Sequence, residues 1–179
     1  GDRVLYKIGA PGRHLAMNSL AALLAVGAVG GDVARAAMAL GAWKAPEGRG
    51  ARWSVTLQPP FAGGSPDPAI DGAIELIDES YNANPVSMGA AFDVLAAARP
   101  VDGFGRVRKG RRIAILGDML ELGPREQELH AALADHPSMA AFDQVHCVGE
   151  RMKALHAALP AGLRGKWRKT SDKLAEELH

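Results

Sequence analysis

Apolar residues follow two rhythms along this chain. Before residue 41 they recur at helical spacing, and after Arg52 short apolar runs of strand length alternate with helical stretches. Leu15 to Val29 is apolar almost all round, which predicts a helix buried on most sides and stopped at Gly30-Gly31. Asp32 is placed to cap a second helix ending at Gly41. Arg52 to Gln58 alternates polar and apolar with period two, the pattern of a half-exposed antiparallel edge strand, and a turn-rich loop runs from Pro59 to Pro68.

From Ile74 onward strand and helix take turns. Ile74 to Asp78 leads into a helix from Pro85 to Arg99, whose Met88, Phe92 and Leu95 fall on one face and point to a core. After Pro100 and a basic loop (Arg106, Arg108, Lys109, Arg111, Arg112) comes the strand Ile113 to Leu116, closed by Gly117-Asp118. Pro124 begins a helix carrying Leu129 and Leu133, ending before Pro137. Gln144 to Val148 is the next strand, followed by Gly149-Glu150 and a helix through Met152, Leu155 and Leu159. Lys169 to His179 reads as a last helix, capped by Ser171 or Asp172. Continuously apolar strands, each followed by a helix, predict an α/β fold: a Rossmann-like, mostly parallel sheet with an antiparallel edge strand, preceded by helices. Three strands end in Asp78, Asp118 and Glu150, so acids are expected along the carboxyl edge where such sheets bind ligands.

Composition adds bounds. A chain of 179 residues with 47% hydrophobic content can bury a core of one domain, or of one domain and part of another. A net charge of +1 with interspersed signs gives no argument for nucleic acid or a membrane surface. The longest apolar run, Leu20 to Val29, is too short for a membrane span, and Gly1-Asp2-Arg3-Val4 does not open a signal peptide. The single cysteine, Cys147, lies in an apolar run; it excludes a disulfide framework and points to a buried thiol in a cytoplasmic protein. The abrupt start, and a last helix with no strand to receive it, suggest a piece of a longer protein.

Candidate chemistry concentrates in Asp78-Glu79-Ser80-Tyr81-Asn82-Ala83-Asn84-Pro85, where a strand ends in a carboxylate and a helix starts. Pro85 suits the first helical position and Asn84 the cap, and a helix N-terminus favours an anion. There is no G-x-x-x-x-G-K-[ST] loop, nucleophile elbow, G-x-G-x-x-G or zinc spacing, and the six histidines form no metal cluster. What remains is a set of polar positions at element ends: His14 and Asn18, Arg49, Asp78 with Tyr81, Asn82 and Asn84, and Asp118 with Glu121. Most have a plain structural alternative: a helix start for His14, a solvated linker for Arg49, caps for Asp78 and Asn84, loop ordering for Asp118 and Glu121. Asn18 on an apolar helix is harder to dismiss, since a buried, unpartnered amide costs about 1–3 kcal/mol.

Taken together, Gly12-Arg13-His14 with Asn18 and Ala21-Ala22, Gly48-Arg49, the Asp78 to Pro85 stretch with Ser87-Met88, and Leu116-Gly117-Asp118-Met119-Leu120-Glu121-Leu122-Gly123 resemble the Mur ligases. The resemblance covers nearly the whole chain and is strongest to members that join D-alanyl-D-alanine to UDP-N-acetylmuramoyl-tripeptide. Leu15 and Glu79 depart from the Asn and Asp usual there.

The resemblance implies that residues 1–46 are the helical end of a central ATPase domain and 47–179 most of a Rossmann-like C-terminal ligase domain. It also implies ATP and Mg2+ as cofactors, both held mainly by a segment with a phosphate loop. Without that loop this chain is expected to be inactive alone. ATP would phosphorylate the tripeptide carboxylate, and the dipeptide amine would attack the acyl phosphate. By the same resemblance His14 and Asn18 lie at the adenine, Arg49 and Asp78 near the ribose and phosphates, and Tyr81 at the nucleotide. Asn82, Asn84 and Asp118 would face the substrate cleft; none is assigned as catalytic and none as a metal ligand. The whole enzyme is expected to be a cytoplasmic monomer without nucleic-acid or membrane partners. Two alternatives stay open: a stand-alone nucleotide-responsive or partner-docking module, and another Mur-type ligase resembling folylpolyglutamate or cyanophycin synthetase.

Overall fold

Five strands divide between two sheets in the computed structural model, which describes residues 5–10, 12–57, 72–103 and 109–178. The Pro59 to Pro68 loop and the basic residues Arg106 and Arg108 lie outside the described residues. Helices α1 (Arg13–Ala28) and α2 (Val33–Ala42) come first. Asp32 caps α2 as its position predicts, its Oδ1 accepting the Arg35 amide at 2.9 Å. Strands β1 (Ala51–Leu57) and β2 (Gly72–Asp78) then form an antiparallel hairpin with Ala51 opposite Asp78.

Next come α3 (Pro85–Ala97), β3 (Ile113–Gly117), α4 (Glu126–Ala132), β4 (Gln144–Val148), α5 (Met152–Ala158), β5 (Arg164–Arg168) and α6 (Ser171–Ala175). Strands β3, β4 and β5 form a parallel sheet in that order. A turn of 3-10 helix at Gly123–Arg125 precedes α4, so the α-helix proper starts two residues after Pro124.

The packed core lies between this sheet and its helices. Met88 and Phe92 of α3 meet Ala114 and Leu116 of β3, Val145 and Cys147 of β4, and Met152, Leu155 and Leu159 around α5. The expected stripe holds, with Leu95 packed against the same cluster. Phe92 stands edge-on to Phe142 at 5.7 Å between centroids. Strand β4 buries the three residues at its centre, as an interior parallel strand should. In β3 only Ala114 and Leu116 are buried, and Ile115 is 56% exposed. Burial pushes the Cys147 thiol up to about 12.

Three expectations change. Strand β2 bonds to β1 along all seven residues and belongs to the hairpin, not to the parallel sheet. Asp78 therefore ends a different sheet from Asp118 and Glu150. Its pairing with the period-two strand β1 puts Trp53, Val55, Ile74 and Leu76 on one apolar face. Helix α1 buries only Ser19 and Leu23, because it packs on α2 and on Tyr6, whose hydroxyl shares a 2.8 Å hydrogen bond with Ser19. The last helix is the five-residue α6 with Thr170 at its cap, and β5 precedes it.

Candidate functional site

The helix start at Asn84 forms as its residues predict. Asn84 Oδ1 accepts the Val86 and Ser87 amides at 3.0 and 2.9 Å, and Ser87 Oγ accepts the Asn84 amide at 3.0 Å. This is a complete capping box with Pro85 at the first turn. Asn84 is thus occupied as a cap. Asn82 is exposed and its Oδ1 accepts the Ala83 amide at 2.9 Å.

The preceding turn is joined to the segment before β1. Asp78 Oδ2 accepts the Gly48 amide at 2.9 Å, and Oδ1 accepts the Ser80 amide at 3.0 Å. The Asp78 carbonyl accepts the Gly50 amide at 2.7 Å, and the Tyr81 amide donates to the Gly48 carbonyl at 3.0 Å. Gly48 has φ 71°, and a Cβ there would sit 2.8 Å from Tyr81 Cβ and 2.9 Å from its nitrogen. Only glycine lets the two segments approach so closely. The Ser80 hydroxyl and amide, with the Gly48 amide, hold the Asp78 carboxyl below its ordinary value although burial works the other way. Arg49 follows Gly48 and stacks on the Tyr81 ring, its Cζ 4.3 Å from the centroid.

His14 stands in the first turn of α1, lining a cleft of about 780 Å³ with Met17, Arg52, Val86, Asp93 and His136. Its Nδ1 is buried without a hydrogen-bond partner among the described residues. Burial raises the neighbouring Glu79 carboxyl, opposed by His14 and by Arg52, while the charge of Asp78 adds to the rise. Asn18, one turn after His14, is exposed. The expected cost of a buried amide does not arise, because α1 is covered on only part of its circumference.

Asp118 is engaged elsewhere. It follows β3; Oδ1 accepts the Met152 amide at the start of α5 at 2.8 Å, and Oδ2 lies 3.7 Å from Arg151, which also pairs with Glu126 at 2.5 Å. Gly149 passes so close that a Cβ there would lie 2.2 Å from Asp118 Oδ1. His130, which sequence reasoning passed over, fixes the same loop from beneath. Fully buried, it accepts the Met119 amide at Nε2 (2.9 Å) and meets the Glu126 carbonyl at Nδ1 (2.6 Å), so the proton is assigned to Nδ1. Glu121, exposed on that loop, has φ 60°.

Arg49, Asp78 and Tyr81 thus form one junction, with His14 electrostatically close through Glu79. Asp118 clamps a separate turn, and Asn84 caps α3. The junction offers an exposed guanidinium, a carboxylate with one lone pair left beyond its three donors, and nearby an imidazole nitrogen unpartnered among the described residues. Such a set suits a phosphorylated, hydroxyl-bearing ligand. Among the described residues no group of three or more His, Cys, Asp or Glu is placed to hold a metal ion, and no helix is long and apolar enough to cross a membrane.

Residues 69–178 match the family described as "Mur ligase, glutamate ligase domain". The UDP-N-acetylmuramoyl-tripeptide--D-alanyl-D-alanine ligase of Escherichia coli (strain K12) is 36% identical over 87 residues, 49% of this chain and 17% of that protein. The ligase of the same name from Rickettsia prowazekii (strain Madrid E) is 29% identical over 162 residues, 90% of this chain and 30% of that protein. This chain therefore spans less than a third of the length of these curated relatives. The crystal structure of MurF from Acinetobacter baumannii superposes with a TM-score of 0.65 at 22% identity, covering 97% of this chain and 32% of that one. The MurF ligase of Thermotoga maritima in complex with ADP gives 0.64 at 18% identity, covering 94% and 32%. These likenesses establish a shared fold.

Proposed function

The chain belongs to the Mur ligase family, and from that premise we propose that it is the C-terminal part of an ATP-dependent ligase adding D-alanyl-D-alanine to UDP-N-acetylmuramoyl-tripeptide. The observation that carries the proposal is the junction itself: Asp78 ties Gly48-Arg49 to Tyr81 and leaves the Arg49 guanidinium exposed for an anion. The curated relatives bearing that activity in their names support the choice of substrates.

In this assignment residues 1–46 are the helical end of a central ATPase domain and 47–179 most of the C-terminal domain. The exposed apolar side chains of α1, Leu24 and Met17 among them, are what a helix of a larger domain would present. Arg49 faces phosphate oxygens, where a fixed cation offsets charge that develops as the γ-phosphoryl group moves. Asp78 orients the turn and uses its one remaining lone pair for a ribose hydroxyl. His14 and Asn18, four residues apart on α1 and so on one face, take the base. Tyr81 borders the nucleotide, while Asn82, Asn84 and Asp118 border the substrate cleft. Mg2+ arriving with the nucleotide would supply charge neutralisation, with Arg49 as this chain's own cation at the phosphates.

The tripeptide carboxylate takes the γ-phosphoryl group, releasing ADP. The dipeptide's free amine then attacks the acyl carbon, inorganic phosphate leaves, and the amine loses a proton as the amide forms. Closure of this domain over the site excludes water that would hydrolyse the acyl phosphate. The complete enzyme is a cytoplasmic monomer in this reading, and the 179-residue chain alone has no ligase activity.

A coupled assay of ADP release by the full-length protein, with UDP-N-acetylmuramoyl-tripeptide and either D-alanyl-D-alanine or glutamate, tests the proposal. Turnover that requires D-alanyl-D-alanine supports it. Turnover with glutamate alone replaces it with another Mur-type ligase, and no ATP-dependent turnover removes the ligase assignment.

A further inference from the structure

Among the described residues a ring, not a carboxylate, holds the Arg49 guanidinium. Among the described residues Arg52, Arg125, Arg151 and Arg168 each pair with an acidic side chain, and Arg112 bonds the Ala98 carbonyl. Arg49 lies over Tyr81 instead. Backbone sets this geometry, since the Tyr81 amide donates to the Gly48 carbonyl and Tyr81 Cβ fills the space a Gly48 side chain would need. The joined backbones thus keep the two side chains next to each other. An acidic partner would neutralise the guanidinium, whereas a ring restricts its motion and leaves charge and donors for an incoming anion. Tyr81 is itself 68% exposed, and its side chain is not needed for the core.

We propose that Tyr81 is a positioning residue: its ring holds Arg49 unpaired and oriented toward the phosphate oxygens of the nucleotide, without touching the nucleotide itself. This rests on the reading of ATP as the phosphoryl donor and assigns Tyr81 a narrower part than direct nucleotide binding. The aromatic face is required and the hydroxyl is not.

Steady-state kinetics of the full-length protein with ATP varied, in Tyr81→Phe, Tyr81→Leu, Arg49→Met and the Tyr81→Leu/Arg49→Met double variant, test it. Loss of an exposed cation–π contact predicts a rise of about two- to five-fold in KM for ATP in Tyr81→Leu, with kcat changed less. Tyr81→Phe restores the wild-type KM, and Tyr81→Leu adds nothing to Arg49→Met. The proposal is overturned if Phe behaves as Leu does, or if Tyr81→Leu contributes its own factor on top of Arg49→Met, since the ring would then meet the nucleotide directly. If the wild-type protein does not use ATP, the ligase assignment fails instead. The stack is then judged in the 179-residue chain by the ring-current shift of the Arg49 Nε–H resonance. That shift should vanish in Tyr81→Leu and persist in Tyr81→Phe; an unchanged resonance in Tyr81→Leu refutes the stack.

Discussion

Gly48→Ala strikes the point where the two halves of the junction meet. The backbone there has φ 71°, which costs a non-glycine residue about 1–2 kcal/mol. The new methyl would also lie 2.8 Å from Tyr81 Cβ and 2.9 Å from Tyr81 N, too close for either atom to stay in place. Moving them apart breaks the Gly48 amide bond to Asp78 and the Tyr81 amide bond to Gly48, about 1 kcal/mol net each. Together these make the junction about 3–4 kcal/mol easier to open, so the Tyr81 amide should exchange faster by roughly two to three orders of magnitude.

Gly30→Ala is the control: its φ of 74° imposes the same strain, but nothing lies within 4 Å of the added methyl. Native-state hydrogen exchange read by NMR compares the two variants. If the Tyr81 amide in Gly48→Ala keeps wild-type protection, or if the variant loses no more stability than Gly30→Ala, the close approach is not what holds Arg49 and Tyr81 together.

Three further outcomes follow from the same contacts. His130→Ala removes a fully buried side chain and leaves the Met119 amide without its acceptor, so urea denaturation should show a loss of about 2–4 kcal/mol. Because the Asp78 pKa is depressed in the fold below its ordinary 3.8, its stabilising contribution is full above that pH and is lost as pH falls through the folded value. Asp78→Asn should therefore flatten the acid limb of a melting-temperature profile. Cys147, fully buried with its thiol pushed up to about 12, should resist iodoacetamide at pH near 8 in the native chain and react once it is unfolded.

Much of the fold was legible because burial writes itself into spacing. The Met88, Phe92, Leu95 stripe, the Asn84-Pro85 helix start and the apolar β4 each follow from a local rule. Strand β5 was not legible: Arg164-Gly165-Lys166-Trp167-Arg168 lacks the apolar run of its neighbours, and at the sheet edge its pairing with β4 and the Trp167 bond to the Gly149 carbonyl define it. The two-sheet division was hidden too, since an apolar strand does not announce which partner takes its hydrogen bonds.

At the site, the sequence singled out Arg49, Asp78 and Tyr81 without showing that Gly48 must be glycine for them to meet. Asn18 looked buried because its helix is apolar all round, yet exposure depends on what packs against that helix. His130 carried no signal at all: one nitrogen faces a carbonyl four residues back, and its second partner, Met119, comes from the loop after β3.

Calorimetric titration of ATP with Mg2+ into the 179-residue chain, and separately into the full-length protein, decides whether the ATP site is divided. A junction that forms one wall of a divided ATP site predicts no measurable binding to the chain. It also predicts micromolar binding to the full-length protein, weakened by Arg49→Met. Micromolar binding to the chain alone would make it a self-sufficient nucleotide module and contradict the account.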